Sequence, residues 1–159
     1  MKFLNILIAL VFIVLLQTQV LNRFYWGQYI DLFLLLNVYF SLGSAPIPSI
    51  GVALFSGIVQ DSFSQGIIGM NGFSKTVVAY LVSSLSARLM IKHPLIIMLL
   101  VALATAVDFL ILYGLHRLFS LKTVELSKET LAVASAANAL AGSILFQILE
   151  RIRLKKEYA

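Results

Sequence analysis

Gly57-Ile-Val-Gln-Asp-Ser-Phe-Ser-Gln-Gly-Ile-Ile-Gly-Met-Asn-Gly-Phe-Ser-Lys-Thr-Val-Val-Ala-Tyr80 reads as the end of one helix, a turn, and the start of another. Upstream, Ala53, Gly57 and Asp61 fall at i, i+4 and i+8, a single stripe on a helix. Downstream, Ala79, Ser83 and Ala87 make a second stripe. Between them Gly66, Gly69 and Gly72 suit a tight turn, because glycine accepts backbone angles closed to other residues. Small residues on facing stripes let two helix backbones approach closely, the usual mode of packing where lipid is the solvent.

The rest of the chain supports a lipid setting. Of the 159 residues, 60% are hydrophobic and 12% charged, against about 45–50% and about 25% in soluble domains. Mean hydropathy is +0.97. A soluble fold of this composition would expose large apolar patches. Charges, prolines and aromatic residues divide the chain into six apolar segments: 3–20, 27–43, 47–59, 72–91, 94–115 and 131–149. The expectation is an all-α integral membrane protein, a compact bundle of about six transmembrane helices occupying residues 1–150, with 151–159 as a basic cytoplasmic tail. Segment 3–20 resembles a signal peptide, but it is long enough to span and shows no small-x-small cleavage site, so it reads as a retained helix. Segments 27–43 and 47–59 are either two tilted spans or a re-entrant hairpin. Tyr25, Trp26 and Tyr29 suit an interfacial belt.

Charge counting orients the bundle. Lys2, Arg88, Lys92, Arg151, Arg153, Lys155 and Lys156 gather at one set of segment ends. Arg23, Arg117, Lys122 and Lys128, offset by Glu125 and Glu129, lie at the other. The first set marks the cytoplasmic side and places both termini there. The net charge of +5 is therefore topological and does not imply nucleic-acid binding. The basic tail acts as an orientation anchor or attracts anionic membrane lipids.

Segment 131–149 carries paired stripes, Ala134, Asn138 and Gly142 beside Ser135, Ala139 and Ser143. With the stripes of segments 47–59 and 72–91, this places those three helices at the centre. Segment 3–20 has no such stripe and faces lipid or a partner, with Leu10 and Val14 as contact candidates.

Ionisable groups inside a membrane need partners. Asp61, Lys75 and Asp108 fall at similar depth in the outer half, and Lys75 is expected either to pair with Asp61, Asp108 or both, or to snorkel to the interface. A proton or substrate path is a third reading of the same residues. Asp61 either caps the turn or meets a periplasmic partner. No catalytic or metal constellation is present: cysteine is absent, His93 and His116 sit at opposite faces, and no G-x-S-x-G, H-E-x-x-H or phosphate-loop motif occurs. No enzyme activity and no cofactor are expected.

The quoted stretch resembles the signature of the rod shape-determining protein MreD family. Gly57, Asp61, Gly66, Gly69, Gly72, Lys75 and Tyr80 match its pattern, and so does Asp31 ahead of a Leu-rich run and Tyr39. The proline that often precedes that aspartate is replaced by Ile30. The resemblance implies a non-enzymatic scaffold of cell-wall elongation and peptidoglycan synthesis in the bacterial inner membrane. It implies binding to the single-pass protein MreC. It also implies links to the MreB filament and to a pair of peptidoglycan synthases, a glycosyltransferase of the shape/elongation/division class and a class B transpeptidase. It further implies similarity to the six-helix substrate-binding subunits of energy-coupling-factor transporters. The alternative is accordingly a small-molecule-binding transporter subunit, with Asp61, Asn71, Lys75 and Asp108 lining a pocket near Trp26 and Tyr113.

Overall fold

The computed structural model describes residues 10–24, 27–64, 67–88, 93–119 and 128–157. Helix α1 covers Leu10–Gln19 and runs into a π-helical turn at Leu16–Val20. Short 3-10 turns at Leu21–Arg23 and Gly27–Tyr29 lead into α2 (Leu32–Leu42), α3 (Pro46–Phe63), α4 (Met70–Ser86), α5 (Pro94–Leu118) and α6 (Lys128–Glu157). There is no strand among the described residues.

The helix boundaries follow local chemistry. Pro46 and Pro94 sit in the first turns of α3 and α5, where a missing N–H costs nothing. Asp31 caps α2: its carboxylate accepts from Leu34 N at 3.0 Å. Gly69, with φ 102°, makes the left-handed turn that starts α4. Segment 27–43 therefore shortens to an 11-residue helix behind a capped turn, about 16 Å long at 1.5 Å per residue. The segment expected at 47–59 lengthens to 18 residues because its prolines open the helix rather than break it. The basic stretch after residue 150 continues α6 as backbone helix to Glu157.

The helices alternate in direction. Asp31 at the start of α2 lies beside Lys75 near the start of α4, and Leu42 at its end accepts from Ser86 Oγ at the end of α4, at 2.7 Å. Hence α2 and α4 run parallel. Asn138 meets Asp31, and the Phe146 ring meets that of Tyr39 with centroids 5.3 Å apart, so α6 shares this direction. Gln60 reaches Asp31 and Ser56 reaches Asn37, which sets α3 antiparallel to α2. Asp108, late in α5, meets Ser74, early in α4, so α5 is antiparallel too.

The core is not centred on the three small-residue helices alone. Leu34, Leu35 and Val38 of α2 interlock with Val78 and Val82 of α4, Val101 and Ala104 of α5 and Phe146 of α6. A Leu-rich helix becomes central when neighbours of small cross-section close around it. The stripes serve that closure. Ala53, Gly57 and Asp61 are buried in α3, as are Ala79 and Ser83 in α4 and Ala134, Asn138, Ala139 and Gly142 in α6; Ala87 is exposed. At Gly57 an added Cβ would lie 2.5 Å from Gly72 Cα, so α3 and α4 touch backbone to backbone. At Gly142 it would meet Leu35 Cδ2 at 3.0 Å.

Helix α1 joins this bundle through Gln17. Its Nε2 donates to Ile30 O at 2.9 Å, and its Oε1 accepts from Leu32 N at 3.1 Å. One amide thus satisfies two backbone groups at the mouth of α2 that have no helical partner. Leu10, expected on a contact face, is 3% exposed and turns into the chain. Val14 is half-buried, and the outward side belongs to Val11, Phe12 and Leu15. The expectation for Leu10 is corrected accordingly: without a small-residue stripe the inward face of α1 could not be told from the outward one.

Candidate ionic site at the α2 start

Five helices bring an ion cluster together at one end of the bundle. Lys75, fully buried one turn into α4, places its Nζ 3.0 Å from Asp31 Oδ2 and 3.7 Å from Asp108 Oδ2. It also donates to Asn71 Oδ1 at 3.2 Å. The side chains of Asp31 and Asp108 are 22% and 8% exposed. A second layer of hydrogen bonds fixes these carboxylates. Gln60 Nε2 donates to Asp31 Oδ2 at 3.1 Å, and Ser74 Oγ to Asp108 Oδ1 at 2.6 Å. The Asp31 backbone N–H donates to Asn138 Oδ1 at 2.9 Å. Carboxylates from α2 and α5 thus meet one ammonium of α4, and side chains of α3, α4 and α6 hold those two aspartates in place. A buried charge of this kind persists only when paired and hydrogen-bonded.

Asp61 stands apart from that pairing. Its oxygens accept from Gly69 N at 2.8 Å, Asn71 Nδ2 at 2.8 Å, Asn71 N at 3.2 Å and Gly72 N at 3.4 Å. The carboxylate of α3 caps α4 from outside, supplying negative charge to the end of a helix whose first N–H groups have no partner. Lys75 touches Asp61 only through Asn71, whose Nδ2 bonds one and whose Oδ1 accepts from the other. The pairing expected between Lys75 and Asp61 is thus replaced by a bond to Asp31. The reason is geometric: Asp61 and Asn71 are drawn to the α4 N-terminus, while Lys75 points back along the helix toward α2.

Among the other expected residues, Gly57, Gly69 and Gly72 lie at the α3–α4 contact and turn. Tyr80 is exposed on α4. Gly66 and Trp26 lie outside the described residues. Tyr113 is a turn away from the cluster, under the Arg117 guanidinium at 5.6 Å. Sequence reasoning missed Gln60, Ser74 and Asn138 as members of the site. Asn138 sits on a small-residue stripe, a signal that identifies packing but not the hydrogen bond to Asp31. No group of three or more metal-type ligands occurs among the described residues.

Beside the cluster, a cleft of about 460 Å³ opens where α2, α3, α4, α5 and α6 meet. Its polar lining includes Asp31, Gln60, Asn71, Thr105, Asp108 and Asn138, and Leu34, Phe109 and Leu112 are apolar. Among the described residues two helices, Pro94–Leu118 and Glu129–Leu149, are long and apolar enough to cross a membrane. No curated protein and no solved structure matches the chain. The family model for rod shape-determining protein MreD, in contrast, matches residues 1–152. That span contains the capped hairpin, Asp31, Lys75 and Asp108 together, so the site lies wholly within what the family shares in length. The chain belongs to the rod shape-determining protein MreD family, and its role lies in rod shape determination.

Proposed function

We propose that this protein is a non-enzymatic scaffold of the cell-wall elongation machinery. In this reading it is a six-span bundle of the bacterial inner membrane with both termini in the cytoplasm. It binds the membrane helix of MreC and links, directly or through MreC, to the MreB filament and to the glycosyltransferase and transpeptidase that build peptidoglycan. The observation that carries the reading is the family match over residues 1–152. The alternating direction of α2 to α6 supports this reading, and the ion cluster ties the helices together at one end. The apolar residues Val11, Phe12 and Leu15 on the outward side of α1 supply a face for a partner helix. The transporter reading draws no support from the family match.

The test is co-purification from native membranes in mild detergent, with a tag on the C-terminal tail. Recovery of MreC at near-equal amount is the expected result. Recovery of an ATPase with its membrane coupling subunit, and no MreC, would replace the scaffold with a transporter subunit.

A further inference from the structure

In the membrane reading given above, the bundle has a short side and a long side. Helix α3 packs against α2 and α4, and α5 packs against α6. On the short side, the exposed apolar residues of α3 run from Ile47 to Phe63, about 24 Å at 1.5 Å per residue. Beside it α4 has 17 residues, from Met70 to Ser86, about 25 Å long, and the exposed Arg88 follows. The turn between them stays level with the last turn of α3, because the Asp61 carboxylate accepts from Gly69 N at 2.8 Å. On the long side, α5 carries no exposed charge from Leu95 to Leu115, since Asp108 is buried. That stretch covers about 30 Å, with Leu95, Leu99, Leu103 and Leu110 facing outward.

The hydrocarbon core of a bilayer is about 30 Å thick. Tilting only shortens the height that a helix covers. Helix α5 can therefore be brought to that thickness, whereas the apolar face of α3 falls short of it at any angle. A short span is otherwise relieved by long basic side chains at its ends, which reach outward to the headgroups. No lysine or arginine lies between Arg23 and Lys75, and Lys75 is held in the ion cluster. Helix α3 has no such side chain of its own. The outward residues Leu54, Phe55 and Ile58 of α3 and Leu81 of α4 are bulky, while Gly57 is spent on the contact between the two helices. Close helix association in membranes uses small residues, so this face suits acyl chains. The accommodation left is thinning of the bilayer beside it.

We propose that the α3–α4 face is a binding surface for phospholipids with short acyl chains, and that the bilayer is thinned there while the α5 face takes chains of ordinary length. The proposal rests on the membrane reading and is independent of which protein partners the bundle holds.

The test uses the full chain with its single tryptophan removed, Trp26→Phe. One tryptophan is then returned by Phe55→Trp on α3 or by Leu103→Trp on α5, both exposed positions. Each protein is reconstituted in brominated dioleoyl phosphatidylcholine, whose bromines quench a tryptophan that the lipid touches. Unbrominated phosphatidylcholines with myristoleoyl, oleoyl or erucoyl chains compete. In the Phe55→Trp protein the myristoleoyl lipid is expected to bind about twofold or more better than the oleoyl lipid. In the Leu103→Trp protein the oleoyl lipid is expected to bind at least as well as the myristoleoyl lipid. Leu81→Trp on α4 and Leu99→Trp on α5 serve if either first variant does not fold. The same chain-length preference on both faces would overturn the proposal. So would quenching at Leu103→Trp with none at Phe55→Trp, which would mean that a second copy of the chain covers the short side. Absence of quenching on both faces would remove the membrane reading itself, and this inference with it.

Discussion

Lys75 Nζ and Asp31 Oδ2 lie 3.0 Å apart, joining a residue one turn into α4 to the residue that caps α2. The same carboxylate therefore does two things: one oxygen holds the α2 N-terminus, and the other holds the buried ammonium. Helix initiation and interhelical pairing are coupled through one side chain.

Lys75→Met leaves Asp31 and Asp108 without their counter-charge. The expected loss of stability is about 3–5 kcal/mol, the usual cost of stranding a buried charge. Thermal denaturation in detergent measures it. Combining Lys75→Met with Asp31→Asn and Asp108→Asn should recover much of the loss, because neutral amides need no ammonium. An unchanged Tm in the single variant would mean that the pair does not hold the bundle together.

Asp61→Ala removes four hydrogen bonds at the start of α4. A loss of about 1–3 kcal/mol is expected from unsatisfied buried N–H groups. Because the damage is local, amide exchange should quicken first at Gly69 to Phe73. Gly69→Ala tests the same turn by another route, since φ 102° is strained for any L side chain, at about 1 kcal/mol or more.

Gly57 and Gly51 form a matched pair on α3. A Cβ at Gly57 meets the Gly72 backbone at 2.5 Å, whereas one at Gly51 meets nothing within 4 Å. Gly57→Ala should destabilise by about 1–3 kcal/mol through forced separation of α3 and α4. Gly51→Ala should be neutral or slightly stabilising, as alanine favours helix by about 1 kcal/mol over glycine. Equal unfolding temperatures for the two variants would refute the close α3–α4 contact.

On α1 the two faces separate folding from partner binding. Leu10→Ser introduces a hydroxyl at a buried position and should lower thermostability. Phe12→Ser with Leu15→Ser alters exposed positions and should leave Tm nearly unchanged while reducing recovery of MreC. Full MreC recovery in the second variant would move the partner face off α1.

The sequence by itself determined the class of structure and the location of its chemistry. Composition and segment length pointed to an all-helical chain, and every regular element among the described residues is helical. The glycine and small-residue spacing from Ala53 to Ala87 located a close helical hairpin, because only residues without bulk permit backbone contact. The rarity of charge within apolar segments singled out Asp61, Lys75 and Asp108. What only the tertiary structure decided was partnership and facing. Lys75 selects Asp31 over Asp61 because α2 and α4 run parallel with their starts level, a relation between helices far apart in the chain. Leu10 points inward because Gln17 ties α1 to the mouth of α2. Local periodicity reports which residues share a face; which neighbour that face meets depends on how all the helices pack at once.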